Sequence, residues 1–260
     1  MSEIPILVRI DGHVGVISIN RPEKHNAMDD LAQAAFLEAV QSMIGDREVR
    51  AIVLRGEGKS FCAGRDTSVL GQRPEGESDY DYVRRAQQIQ HCLLDCPKPI
   101  IAAVRGAAIG GGFEFALAAD MRVVGRSAKM SLPEIIYGLL PDMGGTQTLM
   151  SMIGRARTKY YVMTGNTISG EEAFDMGIAD WLEEDDQVDE KAMEIAGEIA
   201  ARPPQNVKMA KALVDQFWMG GIKRGLNQEL NSITALFKTE DYAEARTALK
   251  EKRDPRFKGK

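Results

Sequence analysis

The chain is poor in the residue types on which much enzyme chemistry relies. Its 260 residues include three histidines, three cysteines and two tryptophans, and aromatic residues make up 6%. His13, His25 and His91 fall in no HExxH pattern, which removes the helical zinc-hydrolase arrangement. Cys62, Cys92 and Cys96 form no even set for a disulfide framework and fit a reducing compartment. Cys92 and Cys96 have no histidine at ligand spacing, so they read as buried helix residues and no metal site is expected. A GxSxG elbow and a GxxxxGK[ST] loop are also missing. Basic excess is lacking: a net charge of −5 gives no reason to expect nucleic acid or an anionic membrane as partner. The longest apolar stretch, Lys98–Ala119, is broken by Arg105, Glu114 and glycines, so no membrane span is expected. The opening "MSEIPILVRIDG" carries no apolar core followed by a small-residue cleavage site. A cytoplasmic location is therefore expected.

What is present is an alternation of strand and helix signals. "IPILVRIDGHVGVISINRP" predicts a hairpin about Asp11–Gly12. A helix over Leu31–Ile44 is capped by Asp29 or Asp30. Apolar runs at Val49–Gly56, Ile100–Val104 and Met121–Gly125 read as buried strands. Helices follow over Tyr82–Leu94 and Gly112–Ala119, and the polar stretch Thr67–Asp79 reads as a mobile connector. From Gly144 the pattern is mostly helical, with helices over Val188–Ala201, Asn206–Trp218, Ile222–Phe237 and Tyr242–Lys250. The expected organisation is an α/β body over residues 1–190 and a helical oligomerisation region over 191–260.

Two loops share a property that points to chemistry. "FCAGRD" (Phe61–Asp66) and "IGGGFE" (Ile109–Glu114) each follow a buried strand and carry glycine beside a helix start. Glycine admits close backbone approach, and free N–H groups at a helix N-terminus suit a developing oxyanion. One N–H from each loop can converge on a single carbonyl oxygen. Glu114 stands three residues after Gly111, almost one helical turn, which places its carboxyl on the side of that amide. A second acid, Glu134, follows Pro133 in "MSLPEIIYGLLPDMGGTQTL". Two carboxyl groups facing one substrate divide acid and base work when their surroundings split their pKa values. Taken singly, each glutamate also reads as a helix cap, and the glycines as a packing device. Gly106, Ala108 and Gly111 mimic GxGxxG loosely, but the middle glycine of a dinucleotide loop is missing.

Together these stretches resemble the crotonase (enoyl-CoA hydratase/isomerase) superfamily. The likeness lies in "RPEKHNAM", "SFCAGRD", "KPIIAAVRGAAIGGGFEFALAADMRV", "LPEIIYGLLPDMGGTQTL" and "MTGNTISGEEAFDMGIAD", in family order over most of residues 1–180, and in the ending "EKRDPRFKGK". The resemblance implies a crotonase-like α/β spiral of ββα units with a helical C-terminal trimerisation region. It implies a homotrimer or dimer of trimers, an acyl-CoA thioester as substrate, and no cofactor beyond the coenzyme A of that substrate. By position, the oxyanion hole falls on the amides of Ala63 and Gly111, and the hydratase carboxylates on Glu114 and Glu134. Lys24, His25, Asn26, Gly64, Arg65, Asp66 and Gly110 match segments that hold coenzyme A. Phe257 and Lys258 match tail residues that reach it from a neighbouring subunit. The implied reaction is syn addition of water to a 2-enoyl-CoA. Isomerisation and thioester hydrolysis run on the same scaffold, as do non-catalytic acyl-CoA-binding and RNA-binding members. Asp142, eight residues after Glu134, reads as a loop turn or cap, yet resembles the second acid of 3-hydroxyisobutyryl-CoA hydrolases. Arg65 departs from the family, where many hydratases carry alanine; it reads as a coenzyme A phosphate contact or a solvated loop residue.

Overall fold

The computed structural model describes residues 4–69, 72 and 74–258, with residues 217–220 and 223 as backbone only. In chain order the first half carries β1 (Ile6–Asp11), β2 (Val14–Ile19), α1 (Asp30–Gly45), β3 (Ala51–Gly56), α2 (Asp79–Leu94), β4 (Ile100–Val104), β5 (Ala107–Ile109) and α3 (Gly111–Ala118). The second half carries β6 (Met121–Gly125), β7 (Lys129–Ser131), α4 (Gly145–Thr164), β8 (Ile168–Ser169), α5 (Gly170–Asp175), β9 (Trp181–Glu183), α6 (Val188–Ala200), α7 (Pro204–Leu236) and α8 (Glu240–Glu251).

β1 and β2 form the expected hairpin, with Asp11 opposite Val14 and only Gly12 and His13 in the turn. From β2 onward the large sheet is parallel and its strands are added in chain order, β1-β2-β3-β4-β6-β9. Between visits to this sheet the chain passes through a second layer. There Met28 bridges Arg65, Cys62 bridges Ala108, and β5 pairs with β7, which pairs with β8. The result is a spiral in which each turn leaves one long strand in the first layer and one short segment in the second.

β4 is apolar throughout because both of its faces are covered. Ile100, Ala102 and Val104 join Phe36, Phe113 and Phe115 in the main core, whereas Ile101 and Ala103 face Val188, Ala192 and Ala196 of α6. Each fully buried phenylalanine stabilises by roughly 1.5–3 kcal/mol. Arg55 and Arg105 both donate to Asp189 Oδ2, at 2.6 and 2.8 Å, and so fasten α6 to β3 and to the end of β4. α1 starts at the N-cap Asp29, whose Oδ1 accepts the Ala32 N–H at 2.9 Å.

Two expectations need correction. The helices expected over Asn206–Trp218 and Ile222–Phe237 run on as one 33-residue helix, α7. The Gly220–Gly221 pair between them lowers helix propensity by roughly 1 kcal/mol per residue but, unlike proline, removes no N–H and creates no clash. Four strands of two or three residues, β5, β7, β8 and β9, were not foreseen. Within the expected connector Thr67–Asp79, residues 70, 71 and 73 lie outside the described residues, as do the last two residues of the tail. Among the described residues no helix is long and apolar enough to cross a membrane.

Candidate active site

The segment Phe61–Asp66 is laid against its neighbours by alternating backbone bonds. Phe61 and Cys62 donate to Arg105 and Ala107 oxygens at 2.8 and 3.0 Å, and Ile109 donates back to Cys62 O at 2.9 Å. On the other side Met28 donates to Gly64 O at 2.7 Å and Asp66 donates to Met28 O at 2.9 Å. This pattern corrects the assignment of Ala63 as an oxyanion donor. Its N–H is already engaged by His25 O at 3.0 Å. Two residues further on, the Arg65 N–H donates to no backbone acceptor among the described residues. Neither does Gly111, which opens α3 and so has no partner within the helix. The two loops touch at Gly64 (φ +81°), where a Cβ would lie 2.5 Å from Ile109 O and 3.5 Å from Gly111 N. Arg65 and Gly111 line the same cleft, together with Ala63, Gly64, Gly110, Glu134 and Asp142.

Four carboxyl groups gather at or behind this cleft. Glu134 opens a one-turn 3₁₀ helix, Glu134–Tyr137, and its Oε2 is shielded from solvent without a hydrogen-bond partner. Its Oε1 lies 2.7 Å from the position a Cβ would take on Gly110 (φ +54°), which requires glycine there. Burial, with the Asp142 charge adding to it, pushes Glu134 up to about 8, so it holds its proton at neutral pH. Glu114 is 1% exposed and does not line the cleft. Its Oε1 accepts the Met143 and Gly145 N–H groups at 3.0 and 2.8 Å, at the start of α4. Burial first, and then the Glu134 carboxyl, raise its pKa well above the ordinary range. Met143 does line the cleft, and its Cε lies 2.5 Å from where a Gly111 Cβ would sit. Asp142, open from sequence between a turn or cap and a second acid, faces the cleft; burial takes it up to about 6, with Arg65 opposing the rise. Glu229, from α7, accepts the Gly144 N–H at 2.7 Å and the Thr146 hydroxyl, and burial takes it to about 7.

Two unpaired amides beside a buried carboxyl can hold a developing oxyanion next to a proton donor. The family model described as enoyl-CoA hydratase/isomerase matches residues 9–260. The chain belongs to the enoyl-CoA hydratase/isomerase family. It is 33% identical over 255 residues to a probable enoyl-CoA hydratase of Bacillus subtilis (strain 168), covering 98% of both chains. It is 36% identical over 266 residues to the human mitochondrial enoyl-CoA hydratase domain-containing protein 2, covering all of this chain and 91% of the other. The crystal structure of an enoyl-CoA hydratase/isomerase from Pseudoalteromonas atlantica T6c superposes with a TM-score of 0.89 at 25% identity, covering 98% of this chain and 100% of that one.

Within this hydratase/isomerase fold the other expected site residues divide by position. Gly64, Arg65 and Gly110 line the cleft; Lys24, His25, Asn26 and Asp66 do not. The Asn26 side chain is fully buried and turned inward, donating to Glu57 and Ser60 oxygens at 2.9 and 2.7 Å and accepting the Arg21 N–H at 2.8 Å. Asn26 therefore holds the loop rather than offering its side chain to a ligand. Asp66 binds Lys24 Nζ at 2.8 Å and the Ser68 N–H and hydroxyl at 3.0 and 2.6 Å. Those bonds hold its carboxyl well below the usual range against the cost of burial. Lys24 is exposed, and the His25 ring meets Ser60 Oγ at 3.0 Å. Phe257 and Lys258 are exposed and outside the cleft of their own chain; the Lys258 N–H donates to Asp241 Oδ1 at 2.6 Å. Arg65 is not a solvated loop residue: its Nη1 binds Asp30 Oδ1 at 2.6 Å and its side chain is 16% exposed. Sequence reasoning missed Glu229, although a signal was present. It is the charged residue on the α7 stripe that buries Leu226, Leu230 and Ile233. Among the described residues no group of three or more His, Cys, Asp or Glu is placed to hold a metal ion.

Proposed function

We propose that the protein is a hydratase that adds water syn across the C2–C3 double bond of a 2-enoyl-CoA to give a 3-hydroxyacyl-CoA. The observation that carries this reading is the buried Glu134 carboxyl, its Oε2 without a hydrogen-bond partner, in one cleft with the Arg65 and Gly111 amides. The thioester oxygen accepts from both amides as negative charge develops on it, and one such preorganised donor contributes roughly 2.7–4 kcal/mol. Glu134 delivers its proton to C2 while water adds at C3. The proton lost by that water returns to the Glu114–Glu134 pair, so the two carboxyl groups end as they began. Glu114 is anchored through Oε1 to Met143 and Gly145 behind the cleft wall, and in this reading its other oxygen reaches the same water. The assembly is a homotrimer or dimer of trimers, a reading supported by exposed apolar residues on α7 (Met209, Leu213, Val214) and α4 (Tyr160, Met163). Sedimentation equilibrium tests it.

The ionised Asp142 in the same cleft supports a second reading, in which it moves a proton along the acyl chain or activates water at the thioester carbon. Absorbance of the enoyl group, conversion of a 3-enoyl-CoA and release of free thiol separate the three reactions. For hydration, Glu134→Gln and Glu114→Gln should each lose roughly 10²–10⁴ in kcat. Near wild-type turnover in either variant refutes the assignment of that residue.

A further inference from the structure

Arg65 offers the cleft more than its amide. Its guanidinium stands 5.7 Å from the centroid of the Tyr82 ring, and Tyr82 packs with Leu139, Leu140 and Phe237 in an apolar wall of the same cleft. Nη1 is engaged by Asp30. Nε and Nη2 are shielded from solvent and have no hydrogen-bond partner. The Tyr82 ring favours the cation through its face but offers no lone pair to N–H groups lying in the guanidinium plane. Two buried donors without acceptors are costly, and native structures rarely keep them so. Arg65 lines the cleft, so a ligand there is placed to supply the acceptor once the side chains over Nε and Nη2 move aside.

Charge decides what kind of acceptor fits. The Arg65 charge is balanced by Asp30 at 2.6 Å; Arg85, which shares Asp30 at 3.5 Å, is itself paired with Glu77 at 2.8 Å, and Asp142 adds a carboxylate to the same cleft. An anionic group on the ligand would bring a further negative charge beside Asp30 and Asp142, whereas an uncharged oxygen satisfies the donors without that repulsion. We propose that Arg65 is a specificity-determining residue, donating from Nε and Nη2 to an uncharged oxygen on the acyl chain beyond C3. The substrate class is then an oxygenated 2-enoyl-CoA, bearing a hydroxyl or carbonyl, rather than a plain alkyl one. The assignment rests on the hydratase reading for the identity of the reacting group, but not for the contact itself.

The test compares kcat/KM for 2-hexenoyl-CoA, its 4-, 5- and 6-hydroxy derivatives, and 2-hexenedioyl-CoA, with wild type, Arg65→Ala and Arg65→Lys. In the wild type one hydroxylated substrate should exceed the plain one by about ten- to a hundredfold, as expected for a hydrogen bond to a charged group. The dicarboxylic substrate should gain nothing. Arg65→Ala should bring the hydroxyl-to-alkyl ratio close to one, and Arg65→Lys should keep part of it. A wild-type ratio near one, a ratio unchanged in Arg65→Ala, or a preference for the dicarboxylic substrate overturns the proposal. If none of these thioesters is hydrated, the hydratase reading fails, and calorimetry with the saturated hexanoyl-CoA and its hydroxy derivatives still decides the contact. Tighter binding of one hydroxylated thioester that is lost in Arg65→Ala supports it; equal binding overturns it.

Discussion

Glu229→Gln should remove one component of the pH dependence of stability. In the folded chain Glu229 keeps its proton up to about 7, against an ordinary value of 4.5, because burial disfavours its charge more than Gly144 and Thr146 favour it. The sign follows from linkage: between these two values the folded state binds the proton and the unfolded state has released it, so stability falls as pH rises. Each unit of pH across that gap is worth about 1.4 kcal/mol, giving a loss of about 3 kcal/mol between pH 4.5 and pH 8. Glutamine keeps an oxygen for the Gly144 N–H and can donate to the Thr146 hydroxyl, which accepts as readily as it donates. Urea unfolding at fixed protein concentration, run at pH 5 and pH 8, measures the effect. Relative to wild type, the variant should gain about 2–3 kcal/mol between the two conditions. An equal difference at both pH values would show that Glu229 does not titrate as its surroundings require.

The Glu134 value of about 8 makes the protonated acid the active form, so kcat/KM for hydration should fall about tenfold per pH unit above 8. A pH–rate profile flat to pH 10 refutes that role. Gly112→Ala would place its Cβ against the Cys62 carbonyl and 2.8 Å from Cys62 Cβ, both buried, so a loss of about 3 kcal/mol is expected in denaturant titration. Asp66→Asn leaves Lys24 without its carboxylate and should cost about 1–3 kcal/mol at pH 7. Because the Asp66 pKa is depressed, that cost should vanish as pH falls below its ordinary value of 3.8 and through its folded one, a trend readable by thermal melts.

Much of this was legible in the sequence where side-chain pattern dictates structure. The runs Ile100–Val104 and Met121–Gly125 are strands because both of their faces are covered, and the Asp11–Gly12 turn fixed a hairpin. Strands of two or three residues were invisible, since periodicity needs more length than they have. At the site, the resemblance implies the Ala63 and Gly111 amides; the Gly111 N–H is unpaired at the start of α3, whereas that of Ala63 is engaged and that of Arg65 is not. Which amide in "CAGRD" is engaged depends on the bonds to His25 and Met28, residues some 35 positions away, and no local signal carries that. Glu114 and Glu134 were found as acids. That Oε1 of Glu114 serves Met143 and Gly145, and that Met143 rather than Glu114 lines the cleft, are outcomes of packing.

The start of α4 is capped by two carboxyl groups from distant parts of the chain, Glu114 from α3 and Glu229 from α7. The loop carrying Asp142 and Met143 is thus clamped like a leaf between two jaws, neither of which lines the cleft itself. A chain ending before α7 would leave Gly144 and Thr146 without an acceptor, and the acid cluster would lose a member. The geometry of the acid cluster in this sense depends on the docking of the terminal helices. A substitution that shifts α7 acts at the same time on the acid cluster beneath it.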